Sequence, residues 1–334
     1  MARVNRRLRA WAWLTRRQVS AATMSEAEVI AIQARRVPAN AVTNWLFGAV
    51  PPGITLTDRL IQGPGGEITV RVYKSIGAEV AAAYRPLVVY FHGGGYVFGN
   101  LDLGNWICGT AAARVGAVVV SVDYRLAPVH RFPAAVEDCY AGLTWAAANA
   151  AELGATGPIG VMGESAGGTL ATVACLLARD RGGPAIRHQA LIYPSTDMTD
   201  TGKSSGADPN APFLSATEMT AYRQLYLGPD GDRAHPWASP LLATDHADLP
   251  PALIQVGEHD PLREGGKRYA AALRAAGVPV RLTEYAGMPH GFVNFPGLSK
   301  AARRAMAEVC AEQSVALFPD RESPDKEPDK ESAA

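Results

Sequence analysis

The stretch Gly163-Glu164-Ser165-Ala166-Gly167-Gly168 decides how this chain reads. An apolar run at 158–162 precedes it and a helix-like run at 169–177 follows. Strand, G-x-S-x-G, helix is the layout of a nucleophile elbow. The turn must be sharp enough to lift one side chain above the sheet edge. Glycine at 163 and 167 removes the Cβ atoms that would collide there. Ser165 also sits at a helix start, where free N–H groups and the helix dipole favour a developing negative charge. By itself such a pentapeptide is also an ordinary glycine-rich turn. The rest of the chain has to supply a base, an acid and an oxyanion hole.

His92-Gly93-Gly94-Gly95-Tyr96 follows a second apolar stretch, 87–91. Three successive glycines bare their N–H groups and let a ligand approach closely. The functional reading is an oxyanion hole of Gly93, Gly94, Gly95 and the N–H of Ala166. His92 supports that loop, as Gly163, Glu164 and Gly167 support the elbow. At 253–262 a strand enters a loop through Glu258-His259-Asp260-Pro261. Asp260 is the candidate that fixes a histidine tautomer and stabilises its charged form. Glu258 is its local competitor, and His259 reads as a bystander. Met288-Pro289-His290-Gly291-Phe292 follows the last apolar stretch, and His290 is the candidate base. The order Ser165, Asp260, His290 is that of α/β-hydrolases. His130, His188, His235 and His246 lack any strand-end context. No H-E-x-x-H pair, phosphate loop or dinucleotide fingerprint occurs, so no metal and no cofactor are expected.

Composition narrows the class. The 334 residues are 48% apolar and 19% charged, with a net charge of zero. The overall charge calls for no nucleic acid or anionic membrane as partner. Cys108, Cys139, Cys175 and Cys310 are scattered, without a C-x-x-C. They read as buried free thiols in a reducing, cytoplasmic compartment. No apolar run reaches the ~18 residues of a membrane span.

Alternation organises the rest. Eight β-like stretches are expected at 54–60, 68–73, 87–91, 118–122, 159–162, 190–193, 253–256 and 280–285. Glycines around Pro64 join the first two as a hairpin. Helical patterns at about 103–114, 134–150, 166–179, 263–276 and 298–316 separate the later strands, which argues a mostly parallel sheet covered on both faces. In such sheets sites lie at the carboxyl ends of strands. His92, Ser165, Asp260 and His290 all fall just after predicted strands. Residues 1–23 carry six arginines and no acid, and read as a basic, poorly ordered extension. Met24, ahead of the capping-box pattern Ser25-x-x-Glu28, is an alternative start. Residues 24–50 read as N-terminal cap helices, 51–194 and 241–318 as the core, and 195–240 as a cap insertion. In that insertion a helical segment carries the stripe Met219, Tyr222, Tyr226. Residues 319–334 read as a disordered tail.

His92–Gly95, the run Asp123-Tyr124-Arg125-Leu126-Ala127-Pro128, residues 132–138, Gly163–Gly168, Asp260-Pro261-Leu262 and His290-Gly291-Phe292 together resemble the hormone-sensitive lipase family of α/β-hydrolases, especially its bacterial esterases. The resemblance spans roughly residues 50–315. It implies an α/β-hydrolase fold, with an eight-stranded, mostly parallel sheet whose second strand is antiparallel. It implies a small helical cap from the N-terminus and the 195–250 region. It implies Ser165 as nucleophile, His290 as base, Asp260 as its partner, and Gly94, Gly95 and Ala166 as oxyanion donors. Many members dimerise, so a homodimer is an expectation. Two positions depart from the pattern. Glu164 stands where aspartate is commoner, and Val129 where glutamate usually makes a salt bridge.

The expected activity is that of a serine carboxylesterase on small esters, with short acyl chains favoured by analogy with the family. A deacetylase or amidase acting on one metabolite would use the same triad. A ligand-binding receptor on this fold, as in the gibberellin receptors, would lack the catalytic histidine that is present here as His290.

Overall fold

The computed structural model describes residues 3–15, 20–36, 38–76, 84–200 and 211–318. Its elements in chain order are α1 (Arg6–Thr15), α2 (Glu26–Gln33), α3 (Ala41–Phe47), β1 (Ile54–Gly63), β2 (Gly66–Ser75), β3 (Leu87–Phe91), α4 (Asn105–Val115), β4 (Val118–Asp123), α5 (Ala134–Ala148), α6 (Ala150–Leu153), β5 (Ile159–Glu164), α7 (Ala166–Asp180), β6 (Ile186–Ile192), α8 (Ala216–Leu227), β7 (Ala252–His259), α9 (Arg263–Ala275), β8 (Val280–Pro289) and α10 (Lys300–Leu317). The eight strands form one sheet in the order β1-β2-β4-β3-β5-β6-β7-β8. Only β2 runs against its neighbours, antiparallel to both β1 and β4. The remaining pairs are parallel. This is the α/β-hydrolase sheet, with its antiparallel second strand, that the family resemblance implies.

The continuous apolar runs follow from burial on both faces. Along β3, Val89 and Phe91 pack into one core with Leu143 of α5, Leu170 of α7 and Leu273 of α9. Val88 and Tyr90 alternate into a second core with Ile107 and Cys108 of α4 and Met306 of α10. All four cysteines are free and buried, and burial raises the pKa of each thiol. No described helix is long and apolar enough to cross a membrane.

The N-terminus departs from the expected disorder. Residues 6–15 form a helix whose Leu8 is fully buried in the second core, and the Asn5 N–H donates to the Gly287 carbonyl at 2.9 Å. The cluster of arginines masked an apolar row at Leu8 and Ala12 that is just long enough to seat one face. The capping box at Ser25 and Glu28 is present. The Ser20 hydroxyl and the Ala21 N–H both donate to the Glu218 carboxylate, so the N-terminal segment and α8 are tied together. Val129 is exposed. Within the same motif Arg125 makes two 2.8 Å bonds to Asp138. The tail 319–334 lies outside the described residues.

Candidate active site

The elbow between β5 and α7 shows why its glycines are required. Ser165 has φ 53° and ψ −119°, a region that side chains rarely enter. A Cβ at Gly163 would lie 2.1 Å from the Gly167 carbonyl oxygen, and one at Gly167 would lie 2.0 Å from that of Phe91. The Ser165 N–H donates to the Ile192 carbonyl at 2.9 Å, which holds the turn against β6.

Ser165, Asp260 and His290 come together. The Ser165 Oγ lies 2.8 Å from His290 Nε2, and His290 Nδ1 lies 2.7 Å from Asp260 Oδ2. With the Nδ1 proton donated to the carboxylate, Nε2 accepts the Ser165 hydroxyl. The other Asp260 oxygen accepts from the Leu262 N–H at 2.8 Å, which fixes the carboxylate. Asp260 and His290 are buried. Glu258 serves elsewhere: it accepts from the Gly287 N–H at 2.7 Å, and His259 lies beside it.

The glycine loop corrects one expectation. Gly93 does not offer its N–H to the cleft, because that amide donates to Glu164 Oε1 at 3.2 Å. Gly94, Gly95 and Ala166 line the cleft beside Ser165 and His290. Their amides make no hydrogen bond among the described residues. Gly94 has φ 119°, and a Cβ there would sit 2.1 Å from the Phe98 carbonyl oxygen. His92 is buried beneath the loop, stacked on Tyr124 at 4.3 Å, with Nδ1 2.8 Å from the Gly93 carbonyl. Burial lowers its pKa to about 4, so the ring is neutral near pH 7.

Glu164 is more than a spacer in the elbow. Its buried carboxylate accepts from Gly93 N–H, from the Tyr90 hydroxyl at 3.4 Å, from the Tyr193 hydroxyl at 2.9 Å and from Asn294 Nδ2 at 2.7 Å. Tyr193 also sets its ring edge-on to His290, with centroids 4.8 Å apart. Burial, reinforced by the Glu164 charge, pushes the Tyr193 phenol well up, so it remains a donor. Sequence reading noted Glu164 as support for the elbow and as a departure from the commoner aspartate, without its partners. The signal available was a carboxylate inside an apolar strand end, which must find donors.

Met219 and Tyr222 of the α8 stripe line the cleft, with Leu214, Phe213, Arg223 and Leu262. Tyr226 instead stacks on Tyr96 at 3.8 Å in the core. The cleft encloses about 760 Å³, part of it open to solvent. No cluster of side chains fit to hold a metal occurs among the described residues.

Comparison with known proteins bears on the fold and the family. Residues 88–294 match a family model described as the alpha/beta hydrolase fold. Esterase LipI of Mycobacterium tuberculosis is 43% identical over 259 residues, covering 77% of this chain and 80% of that protein. Ethyl acetate hydrolase of Pseudomonas putida is 36% identical over 247 residues, covering 73% and 77%. Among solved structures, the hyperthermophilic esterase from the archaeon Pyrobaculum calidifontis superposes with a TM-score of 0.80 at 35% identity, covering 93% of this chain and 98% of that one. The chain belongs to the α/β-hydrolase fold family, as an esterase of its hormone-sensitive-lipase-like branch.

Proposed function

We propose that the chain is a serine carboxylesterase for short-chain acyl esters, with Ser165, His290 and Asp260 as its catalytic triad. The observation that carries this reading is the bonded series Ser165–His290–Asp260 opening on a cleft lined by Gly94, Gly95 and Ala166, whose amides have no partner among the described residues. Ser165 Oγ attacks the ester carbonyl carbon as its proton passes to His290 Nε2. The N–H groups of Gly94, Gly95 and Ala166 receive the oxyanion. The imidazolium, held by Asp260, returns the proton to the departing alkoxide. Water then attacks the acyl-enzyme with His290 again as base, and Ser165 regains its proton.

Several observations support the short-chain preference. Met219, Leu214 and Tyr222 close the cleft on the α8 side. We infer that α8 and the N-terminal helices form the cap. The relative from Pseudomonas putida is named for a small ester. The four buried thiols suit a reducing compartment, and we place the protein in the cytoplasm. A homodimer is carried forward as a proposal, tested by the sedimentation velocity of the purified chain.

Hydrolysis of a p-nitrophenyl ester series from acetate to palmitate, with Ser165→Ala alongside, tests the function. Activity that peaks at short chains and disappears in the variant is the expected result. Activity that survives in the variant within about tenfold rules out Ser165 as nucleophile. A wild-type enzyme inert on every ester rules out the carboxylesterase reading.

A further inference from the structure

The outward face of α1 joins two features that the active site does not use. Helical residues advance about 100° each. Leu8 and Ala12 therefore share the inward side, and both are buried. Arg6 and Trp13, seven residues apart, share a row on the other side, and Arg7 and Leu14 share the next. Trp13 is 61% exposed and Leu14 60%. A groove lined by Arg7, Ala10, Trp11, Leu14, Trp45 and Leu298 joins α1 to α3. On α3, Trp45 is 57% exposed and Val42 69%. Single exposed apolar side chains are ordinary, whereas adjacent large ones mark an interaction surface.

Charge selects the partner. The first 24 residues carry six arginines and no aspartate or glutamate, so a net charge of zero conceals one strongly positive end. Arg3, Arg6, Arg7 and Arg9 are all exposed. Arginine beside tryptophan and leucine on one helix face is the composition of a helix lying in a lipid headgroup layer. There, indole rings sit at the interface while guanidinium groups reach lipid phosphates. A nucleic acid would satisfy the arginines and leave the apolar half unused. A second copy related by a two-fold axis would bring the arginines of both copies into one interface, to which neither α1 nor α3 contributes an acidic side chain.

We propose that this face of α1 and α3 docks on an anionic phospholipid surface, with Trp13, Leu14 and Trp45 in the headgroup layer and the arginines on lipid phosphates. This is peripheral binding, without a spanning segment. The bond from Asn5 N–H to the Gly287 carbonyl fixes α1 to the β8 end of the sheet, so the docked face keeps a constant orientation to the active site.

The test is cosedimentation of the full chain with vesicles of phosphatidylcholine alone and with vesicles containing about one-third phosphatidylglycerol. Partition onto the anionic vesicles is expected to exceed that onto the neutral ones by about tenfold or more at low salt, and to fall as salt rises. Replacing Arg6, Arg7 and Arg9 with Gln should remove most of that preference. Trp13→Ser with Leu14→Ser should lower partition onto the anionic vesicles about tenfold. These side chains are exposed, and the thermal unfolding midpoint of each variant checks that the fold is kept. Equal partition onto both vesicles, or variants that bind as the wild type does, overturns the proposal. So does a variant that turns a dimer into a monomer in sedimentation velocity while vesicle binding is unchanged, since a second copy then covers this face.

Discussion

Replacing Glu164 tests whether one buried carboxylate holds the catalytic loops in place. Four donors converge on it, and three of them lie within 3.2 Å: Gly93 N–H, the Tyr193 hydroxyl and Asn294 Nδ2. A hydrogen bond to a charged group contributes about 1.5–3 kcal/mol. Glu164→Ala would strand three donors at once, a loss of about 4–9 kcal/mol if the terms added. That rivals the ~5–15 kcal/mol stability of a whole domain, so this variant should fold poorly. Glu164→Gln is the informative change. Its amide oxygen can keep Gly93 and Tyr90. Its amide nitrogen then faces Tyr193 and Asn294, both now donors. Asn294 can turn end for end, because its Oδ1 is buried without a partner, and the Tyr193 hydroxyl can rotate to accept. The expected loss in stability is therefore about 1–2 kcal/mol, that of the charge assistance. Activity should suffer more specifically. Gly93 anchors the loop whose next two amides face the cleft, and a whole oxyanion donor is worth ~3–4 kcal/mol. A loosened anchor should forfeit part of that, about 1–2 kcal/mol, or roughly tenfold in kcat/KM. The assay is urea unfolding together with kcat and KM on p-nitrophenyl butyrate. A Gln variant with unchanged kcat/KM and an unchanged midpoint, or an Ala variant as stable as the wild type, would refute the reasoning.

Further expectations concern single positions and pH. Ser165→Ala should lower kcat by about 10³-fold or more while leaving the circular dichroism spectrum intact, because the hydroxyl serves the reaction rather than the fold. Gly94→Ala puts a Cβ 2.1 Å from the Phe98 carbonyl oxygen on a backbone at φ 119°. The loop must move, and kcat should fall by about 10²–10³-fold with KM changed far less. Burial holds His92 and His188 down to about 4. Their folded pKa values lie below the unfolded value of about 6.5, so their contribution is whole above that pH and is lost as pH falls towards 4. In that window each should cost up to about 1.4 kcal/mol per pH unit. Urea midpoints measured across it check this, with His188→Asn expected to flatten the slope; a midpoint flat in the wild type counts against it.

What could be read from sequence was what repeats or strains the chain. The apolar stretches at 87–91 and 159–162 were legible because strands buried on both faces must be apolar throughout, and the sheet order places them side by side. The elbow was legible because Ser165 requires glycine at 163 and 167, which leaves a written trace. Glu164 was not, because its worth lies in donors from β3, from the end of β6 and from Asn294, far away in the chain. Gly93 was misassigned for the same reason: three adjacent glycines look alike until the carboxylate that takes the first amide is in place. The α1 helix was hidden by composition, since its three arginines, with three more close by in the chain, outweigh one buried leucine in any average over the segment.

The sheet order also explains why Tyr193 and Glu164 belong to the site. Ser165 stands above β5 and His290 follows β8, three strands away in the order β5-β6-β7-β8. At about 4.8 Å per strand the gap is roughly 14 Å, more than an imidazole can span. The inward shift comes at the end of β8, where the pairing with β7 slips between Gly257–Tyr285 and His259–Pro289 and leaves two extra residues on β8. His290 follows directly, with Asp260 bonded to its ring and Tyr193 edge-on beside it. Tyr193 is in turn bonded to Glu164, which holds Gly93 on the far side of the serine. A single carboxylate thus sets the spacing between Tyr193, beside the histidine, and the glycine loop. Shortening it to aspartate would pull those two sides unequally, so Glu164→Asp should alter kcat more than a change that keeps charge would suggest. Steady-state kinetics beside Glu164→Gln would separate the length of the side chain from its charge.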